Sequence, residues 1–79
     1  KNHPRAIKAL EMAARHEPEN SLLNLYAAQS IILYLEAYGW DEGYVVRAKR
    51  YLQRAERSEE LHDNMVMLQQ ILDALKQDN

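Results

Sequence analysis

The sequence predicts an all-α fold in which four antiparallel helices, over about 4–16, 21–37, 42–57 and 62–77, form stacked helical hairpins. Apolar residues recur at helical spacing throughout, and no segment alternates apolar and polar residues as a strand does. The two glycines and two prolines fall at boundaries, so the turns are short and each helix must run antiparallel to the next. Between Ser21 and Ala37 the one charge is Glu36, and apolar residues cover the helix nearly all round. A helix of that kind needs neighbours on several sides.

In the first helix Asn2 or His3 caps, and Pro4 takes the opening position, where its missing N–H costs nothing. Ile7, Leu10, Ala13 and Ala14 make the inner stripe, and Pro18 stops the helix just after His16. Asn20 or Ser21 opens the central helix by accepting an otherwise orphaned backbone N–H. One apolar face of that helix is Leu22, Leu25, Ala28, Ile32 and Leu35; Leu23, Tyr26, Ala27, Ile31 and Tyr34 cover most of another. Gly39 supplies the left-handed residue that ends it. Asp41 caps the third helix, and Trp40 before it is placed to pack on Val45 as a hydrophobic staple. This third helix buries Tyr44, Ala48, Tyr51, Leu52 and Ala55 and gives out near Ser58. His62 or Asp63 begins the last, whose inner face is Leu61, Met65, Leu68, Leu72 and Leu75.

A chain of 79 residues is one domain with a small core. Without cysteine it has no disulfide, no thiolate metal site and no sulfur nucleophile. The longest uncharged run, Asn20 to Leu35, is shorter than a membrane span and contains Asn24, Gln29 and Ser30, which argues against bilayer insertion and for a soluble, cytoplasmic chain. The start at Lys1, with no methionine and no signal-like segment, suggests an excised piece of a longer protein. A net charge of −2 exerts no global pull towards nucleic acid or anionic lipid.

An internal repeat sharpens the architecture. Ala6, Leu10 and Ala13, followed by Pro18, share their spacing with Ala48, Leu52 and Ala55, followed by Glu60. Small residues on either side of a bulky knob let a neighbouring helix approach closely. The segment from Ala6 to Asn20, AIKALEMAARHEPEN, resembles the second helix of a tetratricopeptide repeat, which ends with a small residue, a bulky one, another alanine and a proline-led turn. The second copy departs from that pattern at Glu60, and its separation exceeds the family period of about 34 residues. The extra residues are best placed at the end of the central helix and in Tyr38-Gly39-Trp40-Asp41. In the last segment Met65, Leu68, Gln69 and Leu72 follow the family's first-helix spacing approximately. The resemblance implies that 1–20 is the second helix of one repeat, 21–60 an elongated repeat and 61–79 a capping helix at the C-terminal end of a longer array. Gln69, Gln70, Asp73, Lys76 and Gln77 supply the polar outer face a cap needs.

In that family the first helices line a concave surface. The resemblance therefore implies a partner-binding groove of Leu22, Leu25, Gln29, Ile32 and Leu33 from the central helix, with Met67, Ile71 and Leu75 from the last. An apolar groove containing methionine suits an amphipathic helix or an extended apolar peptide. The same residues fit equally well as a cover for a preceding helix or as the inside of a closed bundle. One subtype of the family grips a C-terminal carboxylate with lysine and asparagine; Leu25 and Gln29 stand at those places, so no such clamp is expected.

Arg47, Arg50, Arg54 and Arg57 form a basic stripe on the third helix. It could contact phosphates or an acidic partner, but an ordinary solvated face is the expected reading; nucleic-acid binding is disfavoured because Tyr51 lies on the alanine stripe and the total charge is acidic. His3, His16 and His62 sit in different segments without the i, i+4 spacing of a metal pair, so no metal site is expected; His16 can meet the last carbonyls of its helix. Glu59, Glu60 and Asp63 crowd the start of the last helix, where the dipole favours negative charge. With neither a glycine-rich phosphate loop nor a nucleophile motif, no enzymatic activity and no cofactor are expected. The expected function is non-catalytic protein–protein interaction, with a partner polypeptide or a neighbouring domain bound on the central and last helices. Self-association as a homodimer, and a regulatory C-terminal tail of a signalling protein, are the alternatives; neither nucleic acid nor membrane is an expected partner. All of this requires Ala6, Ala13, Ala48 and Ala55 to be points of close helix contact.

Overall fold

The computed structural model describes residues 3–78. Four α-helices follow in order: α1 (His3–His16), α2 (Ser21–Tyr38), α3 (Glu42–Ala55) and α4 (His62–Asp78). A turn of 3-10 helix, Glu59–Leu61, leads into α4, and no strand occurs among the described residues. At about 1.5 Å per residue these helices are about 21–27 Å long. They fit within 32 × 26 × 19 Å, so the chain folds back on itself between them.

Local chemistry sets the boundaries where the sequence places them. Asn20 Oδ1 accepts from the Leu23 N–H at 3.1 Å and Asp41 Oδ1 from the Tyr44 N–H at 3.2 Å. Gly39 ends α2 with φ at 103° and ψ at 171°, a region all but closed to other residues, and its N–H donates to the Leu35 carbonyl at 2.8 Å. The third helix stops at Ala55, short of the expected end. The candidate cap Asn2 lies outside the described residues; His3 is already helical.

Helix α2 is the centre of the molecule and touches α1, α3 and α4, which is why it is apolar nearly all round. Leu25, Ala27, Ala28, Ile31, Ile32 and Leu35 are all buried on it. So is Asn24, whose Nδ2 donates to the carbonyls of Pro18 at 3.1 Å and Asn20 at 2.9 Å, tying the α1–α2 turn to the core. From α3 come Val45, Ala48, Tyr51, Leu52 and Ala55. Trp40 is half-buried against the core cluster that holds Val45, with Nε1 donating to Glu42 Oε2 at 2.7 Å. Tyr44 stays half-buried, its ring 4.8 Å from that of Tyr34 and beneath the Arg47 guanidinium at 4.7 Å. From α4 only Leu68 and Leu72 are fully buried; Leu61, Met65 and Leu75 are half-buried against the core.

The alanine contacts need a correction. Ala48 and Ala55 are completely buried, but Ala13 is half-buried and Ala6 is exposed. The stripe that α1 buries is Ile7, Glu11 and Ala14 instead. In α3 the alanine-bearing face is covered by the rest of the molecule, whereas the matching face of α1 has no described neighbour to close on Ala6.

Candidate interaction surfaces

The buried charge on α1 is fully used within the chain. Glu11 is 5% exposed; one carboxylate oxygen accepts from Arg47 Nε at 3.0 Å and from the Tyr51 hydroxyl at 2.9 Å, and the other pairs with the second arm of the same guanidinium. The Arg47 hydrogen bond outweighs burial, and with Tyr51 assisting it holds the Glu11 carboxyl below the usual carboxylate range. The same contact raises Arg47, while burial first and Glu11 second raise the Tyr51 phenol. Tyr51, on the alanine stripe of α3, is thus a structural donor.

Most of the basic stripe is likewise engaged by its own chain. Arg47 is held by Glu11, Arg57 pairs with Glu19 on the surface, and Arg54 lies 6.0 Å from the Tyr51 ring centroid. His3 packs edge-on against Tyr38 and Tyr34 at 5.7 and 6.2 Å, while His16 and His62 are exposed. Among the described residues no group of three or more His, Asp or Glu is placed to hold a metal ion, and no helix is long and apolar enough to cross a membrane.

The expected groove is split by burial. Leu25 and Ile32 are 3% and 0% exposed, so they belong to the core and cannot line an open surface. A helix covered from three directions offers less free face than its composition suggests. Leu22, Gln29, Leu33 and Met67 are exposed, and Ile71 and Leu75 are half-buried. Tyr26, placed by the sequence on a different apolar face from Leu22, joins Leu22, Gln29 and Leu33 on one exposed face of α2.

A second surface lies between α3 and α4. These helices diverge from a groove of about 920 Å3, with Val46, Lys49, Arg50 and Gln53 on the α3 side and Met65 and Val66 on the α4 side. Val46 is 54% and Val66 40% exposed. The spacing that relates Ala6 to Ala48 also relates Ile7, Glu11 and Ala14, the stripe α1 turns inward, to Lys49, Gln53 and Glu56. All three of the latter line the groove. The α3–α4 groove therefore uses the helix positions at which, on α1, Glu11 meets Arg47 and Tyr51 of α3, beside a smaller cleft of about 470 Å3 lined by Ile7, Lys8, Glu11, Tyr44 and Arg47. Protein-family models, curated proteins and solved structures give no significant match to this chain.

Proposed function

We propose that the chain is a non-catalytic protein–protein interaction module that accepts a helix of a partner polypeptide or neighbouring domain between α3 and α4. The supporting observation is the correspondence just described: an open groove on α3 at the positions through which α1 meets Arg47 and Tyr51 of α3. Docking a helix there covers the exposed parts of Val46 and Val66, contributing about 1 kcal/mol each, and surrounds them with polar groups that fix orientation. The stripe of Leu22, Tyr26 and Leu33 on α2 is the second face of the module.

Titration with amphipathic helical peptides, followed by backbone amide shifts, tests this reading. Shifts centred on Val46, Gln53 and Val66 are expected, and the double variant Val46→Glu/Val66→Glu should abolish them. Shifts confined to Leu22, Tyr26 and Leu33 overturn the groove and move binding to the α2 face. Self-association has one specific observation behind it, the exposed Ala6 and Ala9 of α1, which match the covered contact face of α3. Sedimentation of the chain alone tests that alternative.

A further inference from the structure

We infer that the groove between α3 and α4 selects an acidic amphipathic helix, one bearing carboxylates where α3 itself bears Arg47. This rests on the groove being a helix-docking site. On α1 the single charge of the buried stripe is Glu11, and α3 answers it with Arg47 and Tyr51. In the groove Gln53 stands at the place of Glu11, Lys49 at that of Ile7 and Arg50 at that of Lys8. The acid has moved from the place of Glu11 to that of Ala14, where Glu56 is the one carboxylate among the residues that line the groove, and a cation has been added at Lys49.

Charge then decides the occupant. A basic helix would bring like charges together beside the apolar surface of Val46, Leu52 and Val66, whereas carboxylates gain charge-assisted hydrogen bonds from Lys49, Arg50 and the Gln53 amide. The same reasoning disfavours a second copy. Its α1 exposes Lys8 and Arg15, which would meet Lys49 and Arg50 cation against cation.

Two synthetic peptides separate the possibilities: the α3 sequence 42–57 unaltered, and the same peptide with Arg47→Glu, Arg50→Glu and Arg54→Glu. Each is titrated into the intact chain, with anisotropy for affinity and amide shifts for location. The acidic peptide is expected to bind roughly tenfold tighter, with shifts at Val46, Gln53 and Val66 and a preference that shrinks as salt rises. In the chain variant Lys49→Glu/Arg50→Glu, which changes two exposed side chains, the preference should reverse. Equal affinity for both peptides at the groove overturns the acidic preference and leaves helix docking standing. No groove shift with either peptide overturns both. A concentration-dependent dimer of the chain alone, abolished by Val46→Glu, assigns the groove to a second copy and also overturns the inference.

Discussion

Arg47 grips Glu11 with two arms of its guanidinium across 36 residues of sequence, and so fastens α3 to α1 over the top of their shared neighbour α2. The carboxylate is nearly sealed from water, while the Arg47 side chain keeps 40% of its exposure, so the two partners respond differently to loss of the other. Glu11→Ala lets Arg47 rehydrate but leaves the Tyr51 hydroxyl without its acceptor inside the core. The expected cost is about 2–3 kcal/mol in urea unfolding, against about 1 kcal/mol for Tyr51→Phe, which removes one donor and strands nothing. Equal costs for the two variants would mean that neither the stranded Tyr51 hydroxyl nor the lost Arg47 contact adds to the cost of removing Glu11.

Acid should attack the same contact. Because Arg47 holds the folded-state pKa of Glu11 below its unfolded value, the folded chain binds fewer protons there than the unfolded chain. Stability from this group is present above the ordinary glutamate range and is lost as pH falls through the depressed folded value. Thermal unfolding between about pH 6 and pH 3 should show a steeper loss for the native chain than for Glu11→Gln, which has no carboxylate to titrate. Parallel profiles would locate acid sensitivity elsewhere.

Asn24 offers a test by charge. Its amide nitrogen faces two carbonyl oxygens, those of Pro18 and Asn20, so the side chain must donate there. Asn24→Asp turns an acceptor towards two acceptors in a fully buried site and should destabilise by more than about 3 kcal/mol, well beyond Asn24→Leu at about 1–3 kcal/mol. Chemical denaturation of the pair reads the order directly, and an Asp variant as stable as the Leu variant contradicts the assigned hydrogen bonds.

Gly39→Ala isolates backbone conformation from packing. An added Cβ at Gly39 meets no atom within 4 Å, yet the residue sits at φ 103°, ψ 171°. The expected loss is about 1–3 kcal/mol with no change in the slope of denaturant unfolding. A neutral result would require the α2–α3 turn to relax to another geometry, visible as a changed amide pattern around Trp40 and Asp41.

Much of the fold was legible because its signals are short-range. Asn20, Asp41 and Gly39 each act on an atom within about one helical turn, and a reader of the chain meets cause and effect together. Glu11 gave no such signal. A carboxylate in an amphipathic helix looks solvated until a partner 36 residues away is known to face it. Leu25 and Ile32 were assigned to a surface by the phase of the repeat resemblance, and an all-apolar helix has no preferred side to correct it; only the positions of α1, α3 and α4 tell which strip remains open. The α3–α4 groove was hidden for the opposite reason. Val46 and Val66 belong to consecutive helices that a hairpin rule presses together, and their exposure depends on how far α4 leans onto α2.

That lean leaves α4 held by two fully buried leucines, Leu68 and Leu72, against five buried side chains on the shorter α3. Detaching α4 therefore disrupts less buried packing than detaching α3, and its amides should trade hydrogen for deuterium sooner than those of α3. A ligand that bridges both walls of the groove has to suppress that fraying, which makes the exchange rate of the C-terminal helix a built-in gauge of occupancy.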